Sequence, residues 1–129
     1  MELNTAVVDT PPRDAATVLL LRDEPRAGLQ VFMLRRHSDL AVLGGAYVFP
    51  GGKLDTSDSQ LADHHFDQSA QQLHALLGEP ELPLDQAKGL YVAAMREAFE
   101  ECGVLLADCP AGVDQVLPVL QQRSKGGGH

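Results

Sequence analysis

Three glutamates lie close together in this chain, directly after an arginine. At about 100° of turn per residue, Glu97, Glu100 and Glu101 fall at relative angles of roughly 0, 300 and 40°, so their carboxylates share one side of a helix. Converging carboxylates repel one another unless a cation balances them, and hard oxygen ligands favour Mg²⁺ or Mn²⁺. The other interpretation is a solvated acidic stripe with an i,i+4 ion pair from Arg96 to Glu100.

The apolar residues of the same stretch lie opposite the carboxylates. They fall between about 140 and 220° on the helical wheel and are Val92, Met95, Phe99 and Cys102. The pattern predicts a helix over 86–102, capped by Asp85 and ended by Gly103. One face of this helix is expected to pack and the other to be acidic.

A glycine turn precedes this helix in the sequence. Pro50, Gly51 and Gly52 follow a predicted strand over 46–49. Glycines at such a turn let the backbone approach whatever lies in front of the acidic helix. A bare backbone carbonyl, of Gly51 or of Gly52, is itself a hard metal ligand. The turn therefore adds a second segment to the candidate metal site.

The order of residues around the glutamates carries a family resemblance. Segment 96–104, Arg-Glu-Ala-Phe-Glu-Glu-Cys-Gly-Val, resembles the second half of the Nudix box at every defined position. The first half of that box runs from a glycine to an acid, which Gly52 and Asp58 match with Asp in place of Glu. The 37 residues of 59–95 stand where the family has seven. Segment 45–55 is similar to the inserted-box branch that includes the peroxisomal coenzyme A diphosphatases.

The resemblance implies an α/β fold, a Nudix-like mixed sheet with the acidic helix packed on it. It also implies that water attacks a diphosphate linked to another moiety, with Mg²⁺ or Mn²⁺ polarising the phosphoryl oxygens and lowering the pKa of a bound water. By carry-over, the metal ligands are Glu97, Glu100, Glu101 and a carbonyl of Gly51 or Gly52. Arg96 would orient the glutamates, and Glu100, beside Glu101, is the expected catalytic base. Coenzyme A is the first candidate substrate, with nucleotide sugars, ADP-ribose and dinucleotides left open.

A non-catalytic Nudix-like binding or regulatory module, or a truncated product, is the rival interpretation. Beyond Gly103 the sequence predicts a strand at 104–106, a short helix over 113–122 and a flexible tail over 123–129, where the family usually has several more strands and a second long helix. We therefore expect a single Nudix-like domain over 1–122 that is truncated after its box. An open sheet edge would favour a homodimer.

The predicted sheet begins with two apolar runs, at 16–22 and 29–35, which indicate buried strands of a hairpin. The second run ends in a basic cluster of Arg35, Arg36 and His37. Such a cluster either faces the anionic part of a ligand or is a solvated strand end.

The insertion, 59–84, has a helical pattern of its own. Apolar residues at helical spacing predict a helix over 59–77, begun by Asp58 or Ser59 and stopped by Gly78. Three histidines lie within it, at positions 64, 65 and 74. A polar helix face explains them better than a zinc site, which needs more converging ligands.

Composition limits the partners. The 129 residues suit one domain, and 44% hydrophobic residues suffice for one core. A formal charge of −8 argues against a nucleic-acid partner. Cys102 and Cys109 are expected to be reduced thiols, and neither a basic leader nor a run of membrane-spanning length is present. These features predict a cytoplasmic protein with no membrane partner.

Overall fold

The computed structural model describes residues 5–7, 9–41 and 44–108. Cys109 and the predicted elements at 113–122 and 123–129 lie outside the described residues. In chain order the strands are β1 (Ala15–Thr17), β2 (Leu21–Glu24), β3 (Gly28–Val31), β4 (Leu34–Arg35), β5 (Tyr47–Val48) and β6 (Gly51–Lys53). Two 3₁₀ helices, Thr56–Gln60 and Asp63–His65, precede α1 (Ala70–Leu77) and α2 (Leu84–Cys102). The predicted α/β class is confirmed.

The strands pair as three two-stranded antiparallel ladders, β1 with β6, β2 with β3 and β4 with β5. The predicted hairpin is present as β2 and β3, with Gly28 at a φ of 77° closing its turn. Each predicted run, however, contributes to two strands with different partners, because long-range pairing overrides the local apolar pattern. The prediction that the hairpin strands are buried is wrong, since Leu21 is 58% exposed and Leu29 is 69% exposed.

The predicted turn at 50–52 is wrong in its second half, because Gly51 and Gly52 belong to β6. They lie opposite Thr17 and Ala16 of β1. A Cβ atom on Gly51 would overlap the Ala16 carbonyl oxygen, so glycine permits this close approach of the two strands. Pro50 is fully buried at the bend before β6.

The predicted helix over 59–77 is wrong in its first half. The α-helix begins only at Ala70, where Ser69 and Gln72 form a reciprocal capping box. The Gln72 N–H donates to Ser69 Oγ over 3.2 Å, and the Ser69 N–H donates to Gln72 Oε1 over 3.0 Å. The predicted stop is confirmed, since Gly78 ends α1 in the left-handed region with a φ of 69°.

Helix α2 starts two residues earlier than predicted, at Leu84. Its N-cap is Pro83, so the prediction of Asp85 as the cap is wrong, and Asp85 lies instead in the first helical turn. The predicted end is confirmed: Gly103, with a φ of 72°, donates its N–H to the Phe99 carbonyl over 2.9 Å.

The packed face of α2 is not the predicted one. Gly89, Ala93 and Glu97, spaced four residues apart, are all buried, whereas the predicted apolar face of Val92, Met95, Phe99 and Cys102 is only half-buried. A Cβ atom on Gly89 would overlap Ser59 Oγ. Small residues thus let the backbone of α2 approach the first 3₁₀ helix, and this approach turns the acidic side of the helix toward the protein.

Candidate active site

Arg96 joins the two halves of the site across the whole insertion. Its Nε donates to Asp58 Oδ1 over 2.8 Å and its Nη2 donates to Asp58 Oδ2 over 3.0 Å. Its Nη1 donates to Glu97 Oε1 over 2.9 Å and to Glu100 Oε2 over 3.3 Å, and Nη2 also reaches the Lys53 carbonyl over 3.1 Å. The bidentate contact with Asp58 is the strong, geometrically specific form of a guanidinium–carboxylate pair. Arg96 therefore fixes two glutamates of α2 relative to β6 and the first 3₁₀ helix.

Asp58 is the buried anchor of this network. It is only 2% exposed, and besides Arg96 its Oδ2 accepts the Asp55 N–H over 2.8 Å at the start of the first 3₁₀ helix. The hydrogen bond to Asp58 is the main cause that raises the pKa of Arg96 above its ordinary value, with burial opposing and Glu97 adding to the rise. The acid at position 58, expected from the box spacing, thus contacts the box arginine despite the insertion.

Glu97 lies directly against strand β6. It is 6% exposed, and a Cβ atom on Gly52 would overlap its carboxylate. Any side chain at position 52 would therefore displace Glu97 or push β6 away from α2. The glycine expected to allow a close approach makes that approach to a predicted metal ligand.

Glu101 lies one helical turn after Glu97 on α2 and is exposed. Partial burial raises the pKa of Glu101, and the hydrogen bond with Glu97 and the charge of Glu97 raise it further. A hydrogen bond from the Gly51 N–H and the positive charge of Arg36 act in the opposite direction. Like charges one helical turn apart repel each other, so a cation bound between Glu97 and Glu101 would favour their ionised forms.

The register of the β1–β6 ladder distinguishes the two candidate carbonyls. The Val18 N–H donates to the Pro50 carbonyl over 2.8 Å. Because hydrogen-bonded pairs alternate along an antiparallel ladder, Gly52 is bonded to β1 whereas the Gly51 N–H and C=O point away from it. Gly51 also meets Glu101 with its N–H. Its carbonyl is therefore the better placed of the two for a ligand in front of α2.

The donor set fits a hard divalent cation, but incompletely. Across the described part of the chain, no group of three or more His, Cys, Asp and Glu side chains is arranged to hold a metal ion. Glu97 and Glu101 form a pair, and Glu100 joins the network through Arg96. A cation between Glu97 and Glu101 would relieve the repulsion that raises the pKa of Glu101, and both groups are the oxygen donors that Mg²⁺ and Mn²⁺ prefer.

One contact of the insertion with α2 had no signal in the sequence. Lys88 is buried and forms an ion pair with Asp63 of the second 3₁₀ helix, with Asp85 a further 3.7 Å neighbour of its Nζ. His74, in α1, lies 2.6 Å from the Leu82 carbonyl with its Nε2. Lys88 thus ties the insertion to α2, whereas the His74 contact lies within the insertion itself.

One surface concavity lies elsewhere, on the β2–β3 hairpin. Its lining comes from residues 20–22 and 30–32. None of the predicted site residues contributes to it, and the hairpin is solvent-exposed on both sides. The chemistry-bearing groups therefore define the candidate site better than the shape of this concavity does.

The arrangement agrees with a protein of known structure. The chain matches a crystal structure of a NUDIX hydrolase from Alicyclobacillus acidocaldarius, with a TM-score of 0.64 and 29% sequence identity. The chain is similar to a Nudix hydrolase. This likeness confirms the Nudix-like fold and supports the Nudix family, although the sequence matches no protein-family model. The match covers 94% of this chain and 52% of the other, so the chain spans about half the length of that Nudix hydrolase.

Proposed function

We propose that this protein is a Nudix-type hydrolase that cleaves a diphosphate linked to another moiety, with Mg²⁺ or Mn²⁺ as its cofactor. The observation that carries the proposal is the Arg96 network. It connects Asp58, across the insertion, to Glu97 and Glu100, beside the Glu97–Glu101 pair. A solvated acidic stripe would have no reason to bury Glu97 against a glycine strand.

The metal ligands in this proposal are Glu97, Glu100, Glu101 and a backbone carbonyl, with Gly51 favoured over Gly52. When bound, the cation would polarise the phosphoryl oxygens and make a bound water more acidic. Arg96 holds Glu97 and Glu100 by hydrogen bonds from a single nitrogen, Nη1, so the two carboxylates keep a fixed separation. Arg96 is thus a positioning residue for the carboxylates.

Glu100 remains the proposed general base. It is half-buried, and Arg96 orients one of its oxygens. Glu101 is the alternative, and its raised pKa favours it, because a carboxylate accepts a proton from water more effectively when its pKa lies closer to the working pH. Separate substitutions of the two residues distinguish these roles, since only loss of the base should remove the acidic limb of a pH–rate profile, where the base becomes protonated.

Coenzyme A is the first proposed substrate, because segment 45–55 is similar to the coenzyme A branch of the family. Nucleotide sugars, ADP-ribose and dinucleotides are the other candidates. No helix in the described ranges is long and apolar enough to cross a membrane. A cytoplasmic location and the absence of a nucleic-acid partner remain predictions from composition.

Turnover of a diphosphate panel with Mn²⁺ tests the proposal. Coenzyme A, ADP-ribose and a nucleotide sugar would be incubated with the chain, and the phosphorylated products separated by chromatography. We expect the triple variant E97Q/E100Q/E101Q to lower turnover by about 100-fold or more. The matched control is Glu79→Gln, an exposed glutamate of the insertion, which should leave turnover unchanged. Equal turnover in the triple variant and the wild type would disprove the mechanism.

A non-catalytic Nudix-like module is the second candidate function. Asp58 favours it, because the first half of the family's box usually ends in glutamate rather than aspartate. Calorimetry separates the two candidates. Saturable Mn²⁺ binding that needs Glu97 and Glu101, without turnover of any diphosphate in the panel, would favour the module.

A further inference from the structure

Strand β3 has one paired edge and one open edge. Of the described strands, only β2 pairs with it. The Phe32 N–H donates to the Leu20 carbonyl over 2.9 Å. Because hydrogen-bonded pairs alternate along an antiparallel ladder, the backbone groups of Gln30 point toward β2, and those of Leu29 and Val31 point away from it. These outward N–H and C=O groups form an edge that can pair with another strand.

The side chains along this edge are uncharged. Segment 28–33 reads Gly-Leu-Gln-Val-Phe-Met, in a chain whose formal charge is −8. Leu29 and Val31 are exposed and share one face of β3, and Gln30 lies on the other face. An exposed apolar edge with neither charge nor proline is the kind of strand that pairs with another chain. We expect its occupant to be an uncharged strand with matching backbone groups.

A second copy of β3 meets these requirements when a two-fold axis passes through Gln30. In this antiparallel arrangement, Leu29 lies opposite the second copy's Val31 and the two residues exchange both of their N–H···O bonds. The symmetry repeats this pair, so every outward N–H and C=O group of the edge finds a partner. Apolar side chains also lie opposite apolar side chains, which stabilises a sheet.

Gln30 would lie opposite its own copy at the axis. Within the hairpin its Oε1 accepts from Arg22 Nε over 2.7 Å. An amide oxygen can accept more than one hydrogen bond, so the same Oε1 can also accept from the amide nitrogen of the second copy's Gln30. The residue on the axis is therefore compatible with its own symmetry mate and brings no like charges together.

The outer edge of β2 would end the pairing at two copies. Arg22, Asp23 and Glu24 follow one another along this strand. A two-fold axis at Arg22 or at Asp23 would set like charges opposite each other, and an axis at Leu21 would set Arg22 opposite Leu20. Charged edge strands oppose further pairing. The strand order β2–β3–β3–β2 therefore favours a closed dimer over a fibre.

We propose that the β3 edge binds the β3 edge of a second copy of this chain, with Gln30 on the two-fold axis. The inference gives the edge and the register of the homodimer that an open sheet edge would favour. None of the candidate site residues lies on the β2–β3 hairpin, so the dimer and the proposed hydrolase activity are tested independently. The edge is short, and the association is expected to be weak and concentration-dependent.

Sedimentation velocity at several protein concentrations tests the proposal with Gln30→Glu. This variant keeps the contact with Arg22 as an ion pair but sets like charges opposite each other at the axis. We expect it to raise the Kd of the dimer by about tenfold or more. The matched control is Gln71→Glu, the same change at an exposed position of α1, which should alter the Kd by less than about twofold. Thermal melts show whether each variant folds.

Cysteine cross-linking tests the register, in a chain that carries Cys102→Ser and Cys109→Ser. With Gln30→Cys, the two thiols lie in a non-hydrogen-bonded pair with Cα atoms about 4.5 Å apart, within the range of a disulfide. Leu29→Cys is the matched control, because it lies diagonally from its own copy, beyond the limit of about 7 Å. We expect oxidised glutathione to link Gln30→Cys into a dimer and to leave Leu29→Cys largely unlinked.

Four results would overturn the proposal. They are a wild type that is monomeric at every concentration, an unchanged dimer in Gln30→Glu, equal cross-linking of the two cysteine variants, and species that grow beyond the dimer with concentration. Hydrogen exchange identifies the other occupant in the first case. A monomer whose Leu29 and Val31 amides are protected would assign the β3 edge to a segment of the same chain outside the described residues.

Discussion

Strand β6 lies so close to α2 that Gly52 has no room for a methyl group, whereas the β2–β3 hairpin leaves Leu21 and Leu29 more than half exposed. The first contact joins segments far apart in the sequence and is lined by buried charges, Asp58 and Glu97. The second is a local hairpin whose strands pack mainly against each other within the described residues. Small residues and charge pairing thus account for the burial where α2 meets β6, whereas Leu21 and Leu29 of the hairpin stay at the surface.

Removing the guanidinium of the charged region should have the largest effect on stability. Arg96→Met leaves Asp58 buried without its partner, and we expect a loss of about 3–5 kcal/mol in the free energy of unfolding. Urea denaturation measures it, with Arg22→Met as control, since the Arg22–Gln30 contact in the hairpin is exposed. Pairing Arg96→Met with Asp58→Leu should recover part of the loss. A loss below about 1 kcal/mol would mean that Asp58 is not truly desolvated.

The next largest effect on the free energy of unfolding is expected from a divalent cation. Mn²⁺ at about 100 times its Kd should raise the free energy of unfolding by about 2.7 kcal/mol, because Glu97 and Glu101 meet only in the folded chain. Glu101→Gln should abolish this rise, and Glu79→Gln should keep it. Without metal, Glu101→Gln should be neutral or slightly stabilising, because it relieves repulsion from Glu97. A thermal shift with and without Mn²⁺ gives both results, and an equal rise in wild type and Glu101→Gln would contradict the ligand assignment.

Adding one methyl group to β6 should lower the free energy of unfolding by less than the loss of Arg96 does. Gly52→Ala forces the methyl group into the Glu97 carboxylate, with an expected loss of about 1–3 kcal/mol. Gly28→Asn is the control in the hairpin, where the space is open and asparagine tolerates the left-handed region. If the two variants melt at the same temperature, the α2–β6 contact is looser than its geometry indicates.

The smallest effect on stability is expected in the hairpin. Leu21→Ser with Leu29→Ser should change the free energy of unfolding by less than about 0.5 kcal/mol per site, because both side chains are already in solvent. The same pair should reduce self-association if the exposed hairpin edge mediates the predicted homodimer. Sedimentation at several concentrations measures this, and a dimer that persists in the double variant would place the interface elsewhere.

The parts that the sequence could predict are local. Gly78 and Gly103 end their helices as expected, because a left-handed glycine after an apolar run is a property of a few neighbouring residues. The candidate site residues come from the spacing of Arg96 and its glutamates, and their roles stay a prediction. The contact of Arg96 with Asp58 was not predicted, because the two residues are 38 positions apart and no sequence pattern shows the geometry of the network.

The predictions that proved wrong concern features that depend on contacts between residues distant in the sequence. A helical wheel assigns α2 by its large side chains, yet the buried stripe contains Gly89, Ala93 and Glu97, two of which carry almost no hydrophobic signal. The predicted length of the insertion helix was wrong because the Ser69 capping box starts α1 only at Ala70. The Ser-x-x-Gln pattern of this box was present in the sequence. Strands such as β1 and β6 pair across long stretches of sequence, so a short sequence window cannot predict which strands pair.

The bond between Asp58 and Arg96 closes a loop whose sequence separation is 38 residues. The family has seven residues in this loop and this chain has 37. The longer loop raises the entropic free-energy cost of closure by only about 1.5 kcal/mol, because that cost grows with the logarithm of length. Doubling it again would cost about 0.6 kcal/mol more. The tip between the second 3₁₀ helix and α1 is therefore a place where the chain can gain or lose residues at little thermodynamic cost. Assembly of the candidate site, in contrast, requires this loop to have closed, so we expect it late in folding.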